Sequence, residues 1–242
     1  MNIAIIPARG GSKRIPRKNI KNFCGHPMIY YAISAARESG LFEHIVVSTD
    51  DEEIALIAKA LGAETPFVRP AELANDYTAT VPVIAHAIEA CRSLGLVFDN
   101  VCCIYPCVPF IQINDLRGAF ARMNSSETNY CFPVTAYSSA VQRALKFVSN
   151  GKMQPFYPEF ELTRTQDLEM SYYDAGQFYW GKAETWLTNQ KVHNNGLGYI
   201  IPNWRAIDVD TPEDWERAEL LFRAIVDTST PNDIIITSTS TF

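Results

Sequence analysis

Residues 3–19 read IAIIPARGGSKRIPRKN and place a strongly cationic loop directly after a short apolar run. The run Ile3–Ile6 is short, β-branched and bounded by Pro7, which predicts a buried strand rather than a helix. Residues 9–21 contain six cations and no acid, although the whole chain has a formal net charge of −6. A cationic, glycine-bearing loop at the end of the first strand of an acidic protein predicts a site for a small polyanion.

The composition of this loop favours a phosphate chain as the polyanion. Gly10 and Gly11 let the backbone approach a ligand closely and turn its N–H groups inward, while lysine and arginine supply full charges. A solvated turn and a nucleic-acid contact are the alternatives. The position after an apolar strand disfavours the turn, and an acidic protein without a wider basic face disfavours nucleic acid. Neither GxxxxGK[ST] nor GxGxxG follows the strand, so neither a P-loop nucleoside triphosphatase nor a dinucleotide dehydrogenase is supported.

The loop resembles the opening motif of the CMP-sugar synthetase (acylneuraminate cytidylyltransferase) family, IPAR-x-GSK-x-[IL]-P-x-KN, at every fixed position. The resemblance implies that Arg9 and Lys18 are catalytic and meet the charge that develops on the transferred phosphate. Residues 69–80, RPAELANDYTAT, resemble a second family element, whose arginine and downstream hydroxyl hold cytidine; spacing alone would predict a loop and a helix cap at Thr80. The residues to which the resemblance assigns nucleotide binding are Ala8, Arg9, Gly10, Gly11, Ser12, Lys13, Asn19, Arg69, Thr78 and Thr80.

Apolar periodicity along the rest of the chain predicts alternating strands and helices. The helix Asp51–Leu61 has Asp50 or Asp51 where an N-cap belongs. The other predicted helices are Pro27–Ser39, Val81–Ser93, Ile113–Met123 and Pro212–Ile225, and the other predicted strands are Ile45–Ser48, Glu64–Val68, Asn100–Tyr105 and Tyr130–Val134. Because the strands are apolar throughout, we expect a doubly wound α/β fold with a mostly parallel sheet covered on both faces. The resemblance implies the nucleotide-diphospho-sugar transferase type of this fold.

Length and composition predict one sizeable domain, residues 1–225, with a tail at 226–242 to which we assign no role. The chain has 242 residues, of which 47% are hydrophobic. Its six cysteines show no CxxC spacing, which favours reduced, mostly buried thiols in the cytoplasm. We also expect no signal peptide and no membrane span.

Residues 135–171 interrupt the periodicity with Tyr-, Ser- and Pro-rich segments. Short strands are predicted at Leu145–Val148 and Gln154–Tyr157, and Gly151 between them allows a hairpin. In the family that the chain resembles, the matching region is an arm that packs on a second subunit, which implies a homodimer. Arg143 and Arg164 in this inserted arm are candidates for binding the carboxylate of an acceptor.

Two segments are candidates for the acceptor pocket. In sialic acid members of the family, the matching strand ends in a motif whose glutamine lies near the sugar. Tyr105 takes that place here, so we expect an acceptor pocket that differs from theirs. Residues 172–180, YYDAGQFYW, resemble the variant found in pseudaminic acid cytidylyltransferases. Tyr173 and Gln177 would supply hydrogen bonds to the sugar; the alternative is a strand that packs in the core or at a dimer contact.

Asp208 and Asp210 form a candidate metal site in the stretch AIDVDTPED, residues 206–214. If Ile207–Val209 is extended, both carboxylates point to the same side, where their repulsion favours a cation such as Mg²⁺. Thr211 and Asp214 can meanwhile cap the following helix. The resemblance to the family's [ID]-x-D-T-x-x-D metal motif favours Mg²⁺ as the cofactor.

The resemblance implies that CTP and a nine-carbon 2-keto sugar acid, most similar to pseudaminic acid, give a CMP-sugar and pyrophosphate. Such a product serves bacterial surface glycans or flagellin glycosylation. Alternatives are a CMP-sialic, CMP-legionaminic or Kdo-type synthetase and, more remotely, a non-catalytic CTP-binding module. We expect neither nucleic acid nor a membrane as a partner.

Overall fold

The computed structural model describes residues 1–149, 151–188, 191–194 and 196–228. Its strands are Asn2–Pro7 (β1), Asn22–Phe23 (β2), His26–Pro27 (β3), His44–Ser48 (β4), Asn100–Ile104 (β5), Tyr130–Ala136 (β6), Leu145–Phe147 (β7), Met153–Pro155 (β8), Tyr172–Asp174 (β9), Phe178–Lys182 (β10) and Gly196–Ile200 (β11). Its α-helices are Ile29–Ser39 (α1), Glu52–Ala60 (α2), Thr80–Ser93 (α3), Ile113–Asn124 (α4), Ala183–Leu187 (α5) and Pro212–Thr228 (α6).

A seven-stranded sheet forms the centre, in the order β4-β1-β5-β10-β6-β11, with β9 also paired to β6. The pairs β1–β4, β1–β5 and β6–β11 are parallel, whereas β10 is antiparallel to both of its neighbours and β9 is antiparallel to β6. Five of the seven strands therefore run in one direction. The mostly parallel sheet expected from the sequence is confirmed.

Helices cover both faces of this sheet because β1 and β5 are apolar on both sides. Ala4 and Ile6 of β1 pack in one core cluster with α1, α2 and α4, while Ile3 and Ile5 pack in a second cluster with α3 and α5. All four of these side chains are fully buried. This arrangement is the doubly wound architecture, in which ligands bind at the carboxyl ends of the parallel strands.

A third cluster attaches the last helix, α6, beside the cationic loop. Trp215 and Phe222 of α6 pack edge-on against Phe23, with ring centroids 5.4 and 5.5 Å away. Val209, just before α6, is 1% exposed in the same cluster. The cluster therefore places the end of the described chain against its beginning.

Several local predictions are wrong. Glu64–Val68 is not a strand, because only a single bridge joins Glu64 to Val46. Thr80 does not cap α3, whose N-cap position is Ala79 without a side-chain hydrogen bond. Pro27 lies in β3, so α1 begins at Ile29 rather than at the predicted Pro27.

Other local predictions are confirmed. Asp51 is the N-cap of α2 and accepts the backbone N–H of Ile54 at 3.0 Å. The inserted arm contains the β7–β8 hairpin, and its turn residue Gly151 has a φ of +75°, which favours glycine. Within the tail predicted at 226–242, α6 continues to Thr228, and residues 229–242 lie outside the described part.

All six cysteines of the chain are free in the structure. None of the helices in the described ranges combines the length and the apolar character that a bilayer crossing requires.

Candidate active site

A cleft of about 600 Å³ opens at the carboxyl ends of β1 and β5. The cationic loop forms one wall, residues 69–80 form a second, and the segment 207–210 closes a third side. Of the residues predicted to act or bind, the cleft is lined by Arg9, Ser12, Lys13, Lys18, Asn19, Arg69, Thr78, Thr80, Tyr105, Asp208 and Asp210. Residues from four separate stretches of sequence therefore meet in one space.

Asn19 holds the cationic loop in shape. Its side chain is buried and donates to the carbonyl oxygen of Arg9 at 2.9 Å. The backbone carbonyl oxygen of Asn19 accepts the backbone N–H of Ile29 at the start of α1. Cys107 donates to the remaining side-chain oxygen of Asn19 at 3.3 Å, and burial raises the pKa of this thiol to about 12. The loop is therefore closed across its base by one amide.

Gly10 and Arg17 attach the loop to the start of α2. Arg17 has a φ of +57° and pairs through both terminal nitrogens with Asp51. A Cβ on Gly10 would lie 2.6 Å from Oδ2 of the same Asp51. Gly10 also donates its N–H to Asp50 at 3.0 Å. Close packing against Asp51 thus requires glycine at position 10. None of the predicted nucleotide-binding residues Ala8, Gly10 and Gly11 lines the cleft.

Asp76 provides a carboxylate for two cations of the loop. It accepts from Nη1 of Arg9 at 2.6 Å and forms an ion pair with Lys13. The hydrogen bonds from Lys13 and Arg9 lower the pKa of Asp76. Ion pairs therefore join the wall formed by residues 69–80 to the cationic loop.

Asp210 provides the second such carboxylate. Arg14 donates to it at 2.6 Å, and Nζ of Lys18 lies 3.1 Å from Oδ1. Lys18 also donates to the carbonyl oxygen of Val209 at 2.9 Å. The predicted convergence of Lys18 with Asp210 is confirmed.

Asp208 lines the same cleft, but within the described ranges it has no hydrogen-bond or ion-pair partner. Although water reaches it, partial burial raises the pKa of Asp208, and the neighbouring charge of Asp210 raises it further. A divalent cation between the two carboxylates would relieve both effects, so the residues present fit Mg²⁺. No strand forms at Ile207–Val209, so the strand geometry expected to place the two carboxylates on one side is absent, although both residues line the cleft. No group of three or more His, Cys, Asp or Glu residues with metal-binding geometry occurs in the described chain.

The polar end of the cleft, lined by Arg69, Thr78, Thr80 and Tyr105, carries neutral or shielded polar groups. Arg69 is 4% exposed and donates to the hydroxyl and the carbonyl of Ser48, and burial lowers its pKa to about 10. The hydroxyls of Thr80 and Tyr105 are 2.8 Å apart. The hydroxyl of Thr78 donates to the carbonyl of Glu72 at 3.1 Å. This end suits an uncharged, hydrogen-bonding group such as a base or a sugar.

Of the predicted acceptor residues, only Tyr105 lines the cleft. Gln177 is 3% exposed beside the cleft-lining Gly176, and its Nε2 donates to the carbonyl oxygen of Arg205 at 2.6 Å. The hydroxyl of Tyr173 accepts from Asn203 at 3.0 Å.

The two arginines of the inserted arm are exposed and lie outside the cleft of their own chain. Arg143 donates to the carbonyl oxygens of Glu161 and Thr163, so its guanidinium braces the arm. The roles predicted for Arg143 and Arg164 in acceptor binding stay predictions.

Among the cleft residues to which the sequence assigned no role are Arg14, Asp76, Cys107 and Gly176. Arg14 belongs to a cationic run in which nothing local distinguishes one arginine from another. Asp76 could have been found, because it is an acid in the polar stretch RPAELANDYTAT that faces a loop without acids.

Comparison with known proteins agrees with this geometry. The chain is 39% identical over 92% of its length, and 96% of the relative's, to "Pseudaminic acid cytidylyltransferase" of Campylobacter jejuni subsp. jejuni serotype O:23/36 (strain 81-176). It is 30% identical over 90% of its length, and 95% of the relative's, to "CMP-N,N'-diacetyllegionaminic acid synthase" of Legionella pneumophila.

Among solved structures, CMP:2-keto-3-deoxy-manno-octonic acid synthetase complexed with CTP has a TM-score of 0.69 at 18% identity, covering 92% of this chain and 98% of that one, which shows a shared fold. The sequence model of the family described as Cytidylyltransferase matches residues 3–176. The chain belongs to the cytidylyltransferase family.

Proposed function

We propose that this protein transfers the cytidylyl group of CTP to the anomeric oxygen of a nine-carbon 2-keto sugar acid, pseudaminic acid. The observation that carries the proposal is the meeting of Lys18 and the cationic loop with Asp208 and Asp210 in one cleft. The name and 39% identity of the Campylobacter jejuni relative support the choice of acceptor. The product would serve the synthesis of surface glycans or glycosylated flagellin.

In the proposed reaction, the anomeric oxygen forms a bond to the α-phosphorus while the bond from that phosphorus to the bridging oxygen breaks. Pyrophosphate leaves with the bridging oxygen, and the proton of the attacking hydroxyl passes to water. Catalysis of such a transfer depends mainly on positioning and charge neutralisation. Lys18 and Arg9 meet the negative charge that develops, while Ser12, Lys13 and the loop backbone hold the β- and γ-phosphates.

The candidate cofactor site lies beside Lys18. Mg²⁺ held by Asp208 and Asp210 would neutralise phosphate charge and make the attacking hydroxyl more acidic. Lys18 is anchored by the carbonyl of Val209 as well as by Asp210, so its ammonium group keeps its place when Asp210 takes another partner.

The nucleoside and the acceptor occupy the polar end of the cleft in this proposal. Arg69, Thr78 and Thr80 orient cytidine, and Tyr105 with the stretch around Gly176 faces the sugar acid. Burial raises the pKa of Tyr105 to about 12, so its phenol remains a neutral hydrogen-bond donor at physiological pH. Tyr173 and Gln177 do not line the cleft and would support the acceptor pocket indirectly.

We further propose a homodimer formed through the inserted arm. The arm exposes large apolar side chains, with Phe147 at 78% and Leu162 at 97%. Exposed apolar side chains are covered when subunits associate, so we assign these two to the subunit contact. In such a dimer Arg143 and Arg164 are candidates for binding the acceptor carboxylate in the second subunit's cleft.

A cytoplasmic location is part of the same proposal. It is supported by the six free cysteines, of which Cys102, Cys103 and Cys131 lie buried close together in the sheet.

An acceptor panel tests the proposed function. The protein is incubated with CTP, Mg²⁺ and one of pseudaminic, legionaminic, sialic or Kdo-type acid, and pyrophosphate release is measured. Release with pseudaminic acid well above that with the others is expected. Preference for another acid would reassign the acceptor, and binding of CTP without release in any reaction would favour the non-catalytic module.

A further inference from the structure

The segment 206–210 carries both candidate metal carboxylates but belongs to no strand and no helix. Contacts made by side chains, rather than the backbone hydrogen bonds of a strand or helix, hold this segment in place. At its carboxyl end, Asp214 accepts the backbone N–H groups of Asp210 and Thr211 at 3.3 and 2.9 Å. In its middle, Val209 is buried in the cluster around α6.

The amino end of the segment is fixed by Arg205. Its guanidinium pairs with Asp115 through both terminal nitrogens, and the two side chains are only 11% and 8% exposed. Asp115 lies in the first turn of α4, which packs on the sheet. The carbonyl of Arg205 accepts from Gln177, the residue directly before β10. Arg205 is thus attached to the core by both its side chain and its backbone.

A buried ion pair is an expensive way to stabilise a fold, because both charges lose their hydration. An apolar pair of similar volume often serves stability equally well, whereas the bidentate fork of arginine fixes direction. Arg205 lies three residues before Asp208, close enough along the chain for the geometry of the pair to affect where that carboxylate enters the cleft. Directional control explains the presence of the pair better than stability does.

We infer that Arg205, held by Asp115 and Gln177, is a positioning residue that sets the placement of Asp208 beside Asp210. The inference rests on the proposed function, because it concerns the carboxylates assigned to the metal. It predicts that loss of the pair weakens the contribution of Mg²⁺ without weakening nucleotide binding by the cationic loop.

The test replaces the whole pair, Arg205→Met with Asp115→Leu, so that no buried charge is left alone. Calorimetry measures CTP affinity in excess Mg²⁺ and in chelator, and activity gives the half-maximal Mg²⁺ concentration. The increase in CTP affinity that Mg²⁺ produces should be about 10-fold smaller than in the wild type, and the half-maximal Mg²⁺ concentration should rise about 10-fold. This is the lower end of what outer-shell changes cost at metal sites. CTP affinity in chelator and the melting temperature should stay close to wild type.

The matched control is the same pair of replacements at an exposed ion pair far from the cleft, Arg92→Met with Glu184→Leu. Arg205→Lys, which keeps the charge but loses the fork, is the second variant and decides the question where the double variant does not fold; it should show a smaller shift in the same direction.

Asp208→Asn separates the two proposals. If it raises the Mg²⁺ requirement while a folded double variant keeps wild-type Mg²⁺ dependence, the positioning role of Arg205 is overturned and the metal site stands. If Asp208→Asn also leaves Mg²⁺ dependence unchanged, the metal site and the positioning role are both overturned. A lower melting temperature with unchanged Mg²⁺ dependence would show a purely structural pair and would likewise overturn the inference.

Discussion

Lys18 and Asp210 are separated by 192 residues along the chain, yet Nζ of Lys18 lies 3.1 Å from Oδ1 of Asp210. The loop after β1 supplies the cation, and the segment before α6 supplies the acid. The aromatic cluster between Phe23, Trp215 and Phe222 brings the two stretches together. The cleft therefore depends on the packing of α6 as much as on the sheet.

Lys18→Ala and Asp210→Asn should each reduce turnover by at least about 100-fold, the scale of losing one donor to a transition-state charge. Circular dichroism should show an intact fold, because neither side chain belongs to the core. The matched control is Lys21→Ala. Lys21 lies over the ring of Trp215 at 4.4 Å and does not line the cleft. Turnover close to wild type in either test variant would remove that residue from the mechanism.

Asp76→Asn should tighten the binding of CTP in chelator by about 2- to 5-fold, the value of a partly exposed ion pair. The asparagine no longer competes with phosphate oxygens for Arg9 and Lys13. Calorimetry measures the change, with Asp99→Asn as the control, since Asp99 pairs with the amino terminus. Weaker binding in the Asp76 variant would mean that this carboxylate supports the nucleotide rather than competing with it.

Tyr105→Phe should raise KM for the acceptor by about 2- to 10-fold, as expected for one neutral hydrogen bond, and leave KM for CTP nearly unchanged. The phenol lies 2.8 Å from the hydroxyl of Thr80 at the polar end of the cleft. Steady-state kinetics with each substrate varied in turn decide the matter. An increase confined to KM for CTP would place Tyr105 at the nucleoside instead.

Asp51→Asn should lower the free energy of unfolding by about 1 kcal/mol at pH 7, because asparagine keeps the cap but loses the charge that pairs with Arg17. The hydrogen bond with Arg17 lowers the pKa of Asp51 below its ordinary 3.8. This stabilisation is therefore complete above pH 3.8 and is lost as the pH falls through the lower, folded-state pKa. Urea unfolding from pH 7 down to pH 3 should show the two proteins converging at the acid end. A constant difference would contradict the assignment.

Phe147→Asp with Leu162→Asp should convert the proposed dimer to a monomer, because charges replace exposed apolar side chains of the arm. Sedimentation at several concentrations measures the mass. Leu94→Asp, at an exposed leucine far from the arm, is the control. A wild-type protein that sediments as a monomer would refute the dimer outright.

Much of the fold is readable from local pattern. The buried strands β1, β4, β5 and β6 are short apolar runs, and the helical stripes of α1 to α4 end near glycines or capping residues. The antiparallel entry of β10 into the middle of the sheet is not readable, because an apolar strand carries no mark of its direction. Glu64–Val68 has strand-like composition, but its chain leaves the sheet after one bridge.

The candidate site was predictable where charge or motif concentrates. Residues 9–19 and the pair Asp208 and Asp210 stand out in the sequence, and the structure brings both to one cleft. Pairings across long sequence distances were not predictable. The pairing of Asp115 with Arg205 joins the start of α4 to the 3-10 helix Asn203–Arg205, 90 residues later, and only the packed sheet brings them together.

The distance in sequence between the loop and its carboxylate partners has a consequence for biosynthesis. During synthesis Lys18 leaves the ribosome 192 residues ahead of Asp210. Until Asp210 is made, Arg14 and Lys18 lack the carboxylate with which they pair in the finished protein. Translation must therefore proceed almost to α6 before the chain can become an enzyme.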